Sequence, residues 1–363
     1  MTAPTPSTTD LDDPAGPWQA LHVFYAANPR PLLLQCVHPL IRSLRDEKLL
    51  SGYFFINYWL EGPHVRLRLK PATPDATDEI RHRSRHAVDD FLRARPALYD
   101  VEASGFRADM YNTLFGLEYP DKDQEQLKSP DGRMRLRPNN TASFEPYEPE
   151  YGKYGGPAGV ALAEWHFEHS SDLVIGALAT LNLHLRTVTL GTAAQLMLVM
   201  AASFLRDRED VIDYLDSYHR FWHTSFAGTD LIGGDEYESG YARLPTGADT
   251  RFEAMLDAIR HRETHRLPAT LRDWAAHCRE LAQRATDLAH HGELVFRSRD
   301  GSRDQRITDP DEALLRLLFP YMHMTNNRLH MTIRDEAYLS YVLYRTLQDH
   351  RPPRPTTGTD RDR

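Results

Sequence analysis

Residues 53–70 read Tyr-Phe-Phe-Ile-Asn-Tyr-Trp-Leu-Glu-Gly-Pro-His-Val-Arg-Leu-Arg-Leu-Lys, and this stretch decides the fold. Tyr53 to Trp59 is dense in aromatic and apolar side chains of the kind that strands favour. Glu61-Gly62-Pro63 then supplies turn chemistry. From His64 to Lys70 the chain alternates strictly. Val65, Leu67 and Leu69 point one way, and His64, Arg66, Arg68 and Lys70 the other. The pattern predicts a hairpin with one cationic face. The aromatic first arm predicts an interior strand rather than an edge open to water, and partly buried arginines require an anion.

Working outward, Trp18 to Tyr25 has the composition of a strand and Gln35 to Leu50 the spacing of an amphipathic helix. Asp75 to Leu98 reads as a charged helix and 101–107 as a further strand. Tyr119 to Pro149 is rich in Pro, Asp, Asn, Arg and Gly and lacks periodicity, which predicts a long surface segment. Beyond Gly155-Gly156-Pro157 the period is helical, with helices expected near 158–169, 171–185, 192–205, 208–224, 250–264, 270–291, 310–323 and 332–348. The expected class is α+β: an N-terminal, mainly antiparallel sheet with flanking helices, packed on a helical C-terminal part. A single domain over 17–350 is expected, sheet-rich over 17–156 and helical over 157–350. Residues 1–16 and 351–363, poor in large apolar side chains, read as disordered tails.

The composition sets limits on function. With 41% hydrophobic residues in 363, the chain can bury a substantial core. Its longest apolar run, Ala193 to Leu205, is short for a bilayer, and no signal-peptide pattern opens the sequence, so a cytoplasmic, non-membrane protein is expected. A net charge of −9 argues against a surface built for nucleic acid. Only Lys48, Lys70, Lys122, Lys128 and Lys153 are lysines among the 43 basic residues, so nearly all positive charge is guanidinium, suited to bidentate pairing with carboxylate. Cys36 and Cys278 form no CxxC pair and read as buried or neutral thiols.

Three stretches could carry chemistry. The first is the cationic strand with His64, Arg66 and Arg68. The second, Tyr147 to Pro157, runs through glycines at 152, 155 and 156 into a helix, with Glu150 and Lys153 near the entrance. The third, Tyr321 to Arg328, places the imidazole of His323 close to the donors Asn327 and Arg328. Metal ligation is the weaker reading of the histidines. His82/His86 and His261/His265 are crowded by arginine, and His166 with His169 has no third ligand nearby. The sequence contains no G-x-S-x-G elbow, Walker loop or HExxH.

Together, FFINYWLEGPHVRLRL at 54–69, YEPEYGKYGGPAGVALAE at 147–164 and HMTNNRLHMTIRDEAYL at 323–339 resemble the C-terminal, glutamate-elimination domain of lantibiotic dehydratases, also found as free-standing thiopeptide-type bacteriocin biosynthesis proteins. The resemblance spans nearly the whole chain, and the opening Trp18 to Leu44 looks like the usual start of that domain. It implies a lyase of ribosomal peptide modification. A separate glutamylating dehydratase subunit would esterify Ser or Thr of a precursor peptide, and this domain would remove the Cα proton and expel glutamate, leaving dehydroalanine or dehydrobutyrine.

On the same resemblance Arg66, Arg68, Glu150, Lys153 and His323 are the expected catalytic residues, and His64, Tyr154, Asn327 and Arg328 the expected substrate contacts. The partners implied are a precursor peptide, leader plus glutamylated core, and the glutamylating subunit; no cofactor, metal or direct tRNA contact is implied. Two positions depart from the family pattern: Lys153 and Asn57 stand where arginine is usual, and lysine keeps the charge but loses the bidentate fork. Residues 119–146 look like an insertion. Relatives on this fold instead join two dehydroalanines in a [4+2] cycloaddition that builds a pyridine and releases the leader. A non-catalytic peptide-docking partner is the third expectation.

Overall fold

The computed structural model describes residues 17–98, 105–118, 125–229, 231–232, 236–298 and 301–349. The two expected tails, 1–16 and 351–363, lie outside the described residues. The chain divides into two compact units. One takes in the chain up to Thr189 with Thr229–Leu231 and Gln283–Thr332; the other takes in Leu190–Gly228, Ile232–Ala282 and the chain from Ile333 onward.

The first unit is built on a four-stranded antiparallel sheet in the order β2-β3-β1-β4: β1 (Gln19–Phe24), β2 (Leu50–Tyr58), β3 (His64–Pro71) and β4 (Thr141–Glu145). The hairpin forms as its alternation predicts. Tyr58 faces His64, Ile56 faces Arg66 and Phe54 faces Arg68. Leu21, Val23, Phe55, Leu67 and Leu69 point to one side and are fully buried. Helix α1 (Arg30–Leu32) runs through a π-helical turn, Leu33–Val37, into α2 (His38–Asp46), and α3 (Thr77–Ala94) follows the hairpin. Leu40, Ile41 and Leu44 of α2 and Ile80 and Val88 of α3 supply buried apolar side chains to this layer. Arg81 of α3 lies over Phe144 and donates to the Gln19 side chain, both on that face. The opposite face carries His22, His64, Arg66 and Arg68.

Three departures from the sequence reading have physical causes. Residues 105–107, expected in a strand, open helix α4 (Gly105–Glu118), whose apolar residues lack a clear stripe. Within the segment expected to be surface loop, Thr141–Glu145 forms β4, which has only Ala142 and Phe144 as apolar residues and gains its conformation by pairing with β1. Thirdly, β2 is the end strand of the ladder rather than an interior one. Its outward amides are nevertheless occupied by helical side chains. Tyr53 donates to Glu168, Phe55 to Ser171 Oγ at 3.2 Å and Asn57 to Asn327 Oδ1 at 2.9 Å. Side chains thus stand where a fifth strand would bond.

After α5 (Tyr151–Tyr154), α6 (Gly156–Thr180) runs unbroken through the expected gap at residue 170. Ser170 and Ser171 return their hydroxyls to the carbonyls of His166 and Phe167, which keeps both residues helical. The unit closes with the hairpin β5 (Leu294–Arg297) and β6 (Asp304–Ile307), not anticipated from the sequence, and α12 (Pro310–Arg328). The second unit is helical: most of α7 (Arg186–Phe204), α8 (Arg208–Ser225), α9 (Glu236–Tyr241), α10 (Ala248–Arg260), the larger part of α11 (Ala269–His290) and α13 (Ile333–Asp349). Helix α7 extends the apolar run far enough to cross a bilayer by length and composition, but 61% of its most apolar window is buried, as in a core helix. The mixture of antiparallel sheet and helices is the expected α+β class. Cys36 and Cys278 are both free and buried.

Candidate functional site

The sheet's second face gathers titratable side chains through strand register alone. β1 and β3 pair so that His22 faces Arg66, Phe24 faces His64 and Ala20 faces Arg68. Arg68 is 5% exposed, and its Nη1 donates to His22 Nε2 at 2.9 Å while its Nε has no hydrogen-bond partner among the described residues. Its guanidinium lies 5.2 Å from the Tyr147 ring centroid. Arg66 donates from Nε to His64 Nε2 at 3.1 Å and stacks 3.5 Å over Tyr58. His64 in turn donates from Nδ1 to the Gly62 carbonyl, which fixes its tautomer.

Burial and surrounding guanidinium groups keep both imidazoles uncharged. His22 is lowered to about 2, by burial first and then by Arg68 and Arg66. His64 is lowered to about 3, again by burial first, against the pull of the Gly62 carbonyl. Arg68, lowered to about 10 by burial and by Arg66, remains cationic at neutral pH. Among the described residues the carboxylates of this neighbourhood are engaged elsewhere. Glu145 pairs with Arg137 at 3.1 Å, and Glu164 accepts from Tyr147 at 2.7 Å. The outcome is a largely cationic face on which buried Arg68 has no carboxylate partner among the described residues.

The Tyr147–Pro157 stretch behaves differently. Glu150 precedes α5, and its carboxylate pairs with Lys153 at 3.2 Å with both side chains largely exposed. Tyr154 points inward, buried against Phe167 and Tyr321. Gly155 at φ +91 turns the chain into α6, and its carbonyl accepts from Val295 of β5. A Cβ on Gly159 would meet the Tyr154 carbonyl oxygen at 1.8 Å, so the turn and the helix can approach only through glycine.

His323 is half-buried on α12, one turn before Asn327 and on the same stripe of that helix. Asn327 and Asn57 bond reciprocally. Each side-chain amide donates to the other's backbone carbonyl at 2.7 Å, in addition to the edge bond already described. Arg328, expected to touch substrate, is 1% exposed. It donates to Ser171 Oγ at 3.1 Å and to the Met324 carbonyl at 2.7 Å, over the Phe167 ring. The group is thus engaged inside the unit, with its Nη2 left without a hydrogen-bond partner among the described residues. Asn327 is likewise committed to β2.

Sequence reading missed His22, Arg137 and Tyr147 as members of the face. The alternation of Gln19, Leu21 and Val23 against Ala20, His22 and Phe24 holds the signal for His22, but only pairing with β3 sets it beside Arg68. Among the described residues no three His, Cys, Asp or Glu side chains converge to hold a metal.

The family described as lantibiotic biosynthesis dehydratase C-term matches residues 18–347. No curated protein matches the chain in sequence. Among solved structures, the pyridine synthase TbtD from thiomuracin biosynthesis superposes with a TM-score of 0.67 at 22% identity, over 92% of this chain and 98% of its own. TsrL superposes with a TM-score of 0.60 at 15% identity, over 92% and 95%. The tRNA-dependent lantibiotic dehydratase MibB from Microbispora sp. 107891 gives 0.49 at 19% identity, over 96% of this chain and 29% of its own.

Proposed function

The chain belongs to the lantibiotic dehydratase C-terminal family, and on that premise we propose that it eliminates glutamate from glutamylated Ser or Thr of a ribosomal precursor peptide. The observation that carries this reading is Arg68: buried, cationic, bonded to an uncharged imidazole and paired with no carboxylate among the described residues. A buried charge of that kind is stabilised when an anionic ligand arrives. In the proposed step a base takes the Cα proton, the Cα=Cβ double bond forms, and the Cβ–O bond breaks to release glutamate as a carboxylate. Arg66 and Arg68 hold the glutamyl group as negative charge gathers on its departing oxygen. His323, Lys153 and Glu150 are the groups proposed to move the proton, with His64 on the substrate side and Tyr154 backing the turn from within the core. His323→Ala is then expected to lower turnover about 10²-fold.

A second reading, [4+2] cycloaddition of two dehydroalanines, is favoured by one observation. The superposition covers 98% of a pyridine synthase, a protein of nearly the same extent. The two readings, and the third of a non-catalytic docking partner, separate in one experiment. Purified protein is mixed with a glutamylated Ser peptide and, separately, with a dehydroalanine-containing peptide, and masses are followed. Loss of glutamate supports elimination, macrocycle with leader release supports cycloaddition, and binding without mass change supports docking. For elimination, the partners required are the precursor peptide and a glutamylating subunit, all placed by this reading in the cytoplasm.

A further inference from the structure

Two arginines on the sheet face donate to two histidines, and for Arg68 no acid partner is present among the described residues. Arg68 gives one N–H to His22, and Arg66 gives one to His64. A carboxylate in the His22 position would orient the Arg68 fork equally well but would cancel its charge. A neutral imidazole supplies the acceptor and leaves the whole charge for another anion. We propose that His22 is a positioning residue: it orients Arg68 without neutralising it, so that the guanidinium keeps its full charge for the carboxylate of a bound ligand.

Four observations converge on this assignment. The pair is fixed by strand register, His22 facing Arg66 and Arg68 facing Ala20 across β1 and β3, so the contact belongs to the scaffold rather than to a loop. His22 and Arg68 are both buried, which keeps the bond out of competition with water. Nε of Arg68 is buried and has no hydrogen-bond partner among the described residues, a donor left open for a ligand. Arg66, Arg68, Arg137 and His64 each oppose a proton on His22, with burial the largest influence, and the carboxylate on the neighbouring strand, Glu145, is paired with Arg137. The pair therefore stands as neutral imidazole with cationic guanidinium at neutral pH.

The inference rests on the elimination reading for the identity of the ligand, but not for its test. Two isosteric variants separate acceptor from charge. In His22→Gln the amide oxygen still accepts from Arg68 and carries no charge; in His22→Glu it accepts and cancels the charge. Binding of the dicarboxylate glutarate is followed calorimetrically in the full chain, beside turnover of a glutamylated Ser peptide. His22→Gln is expected within about threefold of wild type in glutarate affinity, whereas His22→Glu loses about tenfold or more, equal to about 1.4 kcal/mol. Equal affinities in the two variants overturn the proposal, and so does a wild-type protein that does not bind glutarate at all. Normal glutarate discrimination with no turnover of glutamylated peptide overturns the elimination reading alone. Should the glutamate variant fail to fold, ¹⁵N spectra of wild-type His22 decide: a neutral Nδ1–H tautomer from pH 5 to 9 is expected, and an imidazolium overturns the assignment.

Discussion

Arg68 and Arg328 are two arginines of similar burial in two regions of the same unit. Both sit over an aromatic ring, Tyr147 and Phe167, and both are lowered by burial, to about 10 and about 9. Their acceptors differ. Arg328 bonds to a backbone carbonyl and a serine hydroxyl among phenols and helices, and thereby ties α12 to α6. Arg68 bonds to one imidazole beside a second guanidinium on an open-registered sheet face, and ties nothing that the strands do not already tie. Burial alone does not separate the two arginines; the kind of acceptor each finds does.

The comparison can be broken in four ways. Arg68→Ala is expected to reduce turnover of glutamylated peptide about 10²- to 10³-fold with the fold retained, because a charge-stabilising donor is lost. Normal turnover by mass spectrometry would remove Arg68 from the mechanism. Arg328→Ala is expected to cost about 3 kcal/mol in urea unfolding, through lost hydrogen bonds and a cavity; a cost under about 0.5 kcal/mol would dissolve its structural role. The third test uses pH. His22 and His64 are held near 2 and 3, below their ordinary value of 6.5, so the unfolded chain takes up protons that the folded one refuses once pH falls below about 6.5. Stability is therefore intact above that point and drops beneath it, by about 1.4 kcal/mol per histidine at pH 5.5. Urea unfolding at pH 7.5 and 5.5 measures the drop, and His22→Gln should remove about half of it. The smallest effect is Lys153→Ala, whose exposed pair with Glu150 should contribute under about 0.5 kcal/mol of stability. A loss of turnover in that variant would then report on ligand handling and not on folding.

Much of this comparison was legible before any coordinates. The hairpin declared itself because a two-residue period of Val65, Leu67 and Leu69 against Arg66 and Arg68 has only one strand-like solution. The YGG turn did so because Gly155 must reach a positive φ. Ranges such as 208–224 and 270–291 were close to the helices found, since their apolar stripes are strong. What failed lacked a local cause. β4 exists because β1 offers it a ladder, and the β5–β6 hairpin has four residues in each strand. The partnership of His22 with Arg68 spans 46 positions in sequence and depends on a register that neither strand encodes alone. Asn327 and Arg328 were recognised as a motif, yet nothing in the motif distinguishes a residue that grips a ligand from one that fastens a helix to a strand.

The row of side-chain acceptors along the outer rail of β2 has a consequence for any peptide visitor. With Tyr53, Phe55 and Asn57 already donating to Glu168, Ser171 and Asn327, those three amides are not available to an incoming backbone. A guest chain cannot dock there by extending the sheet, residue matched to residue. On the elimination reading, a guest would then meet this part of the sheet through the group it carries at the modified position and not through pairing along β2.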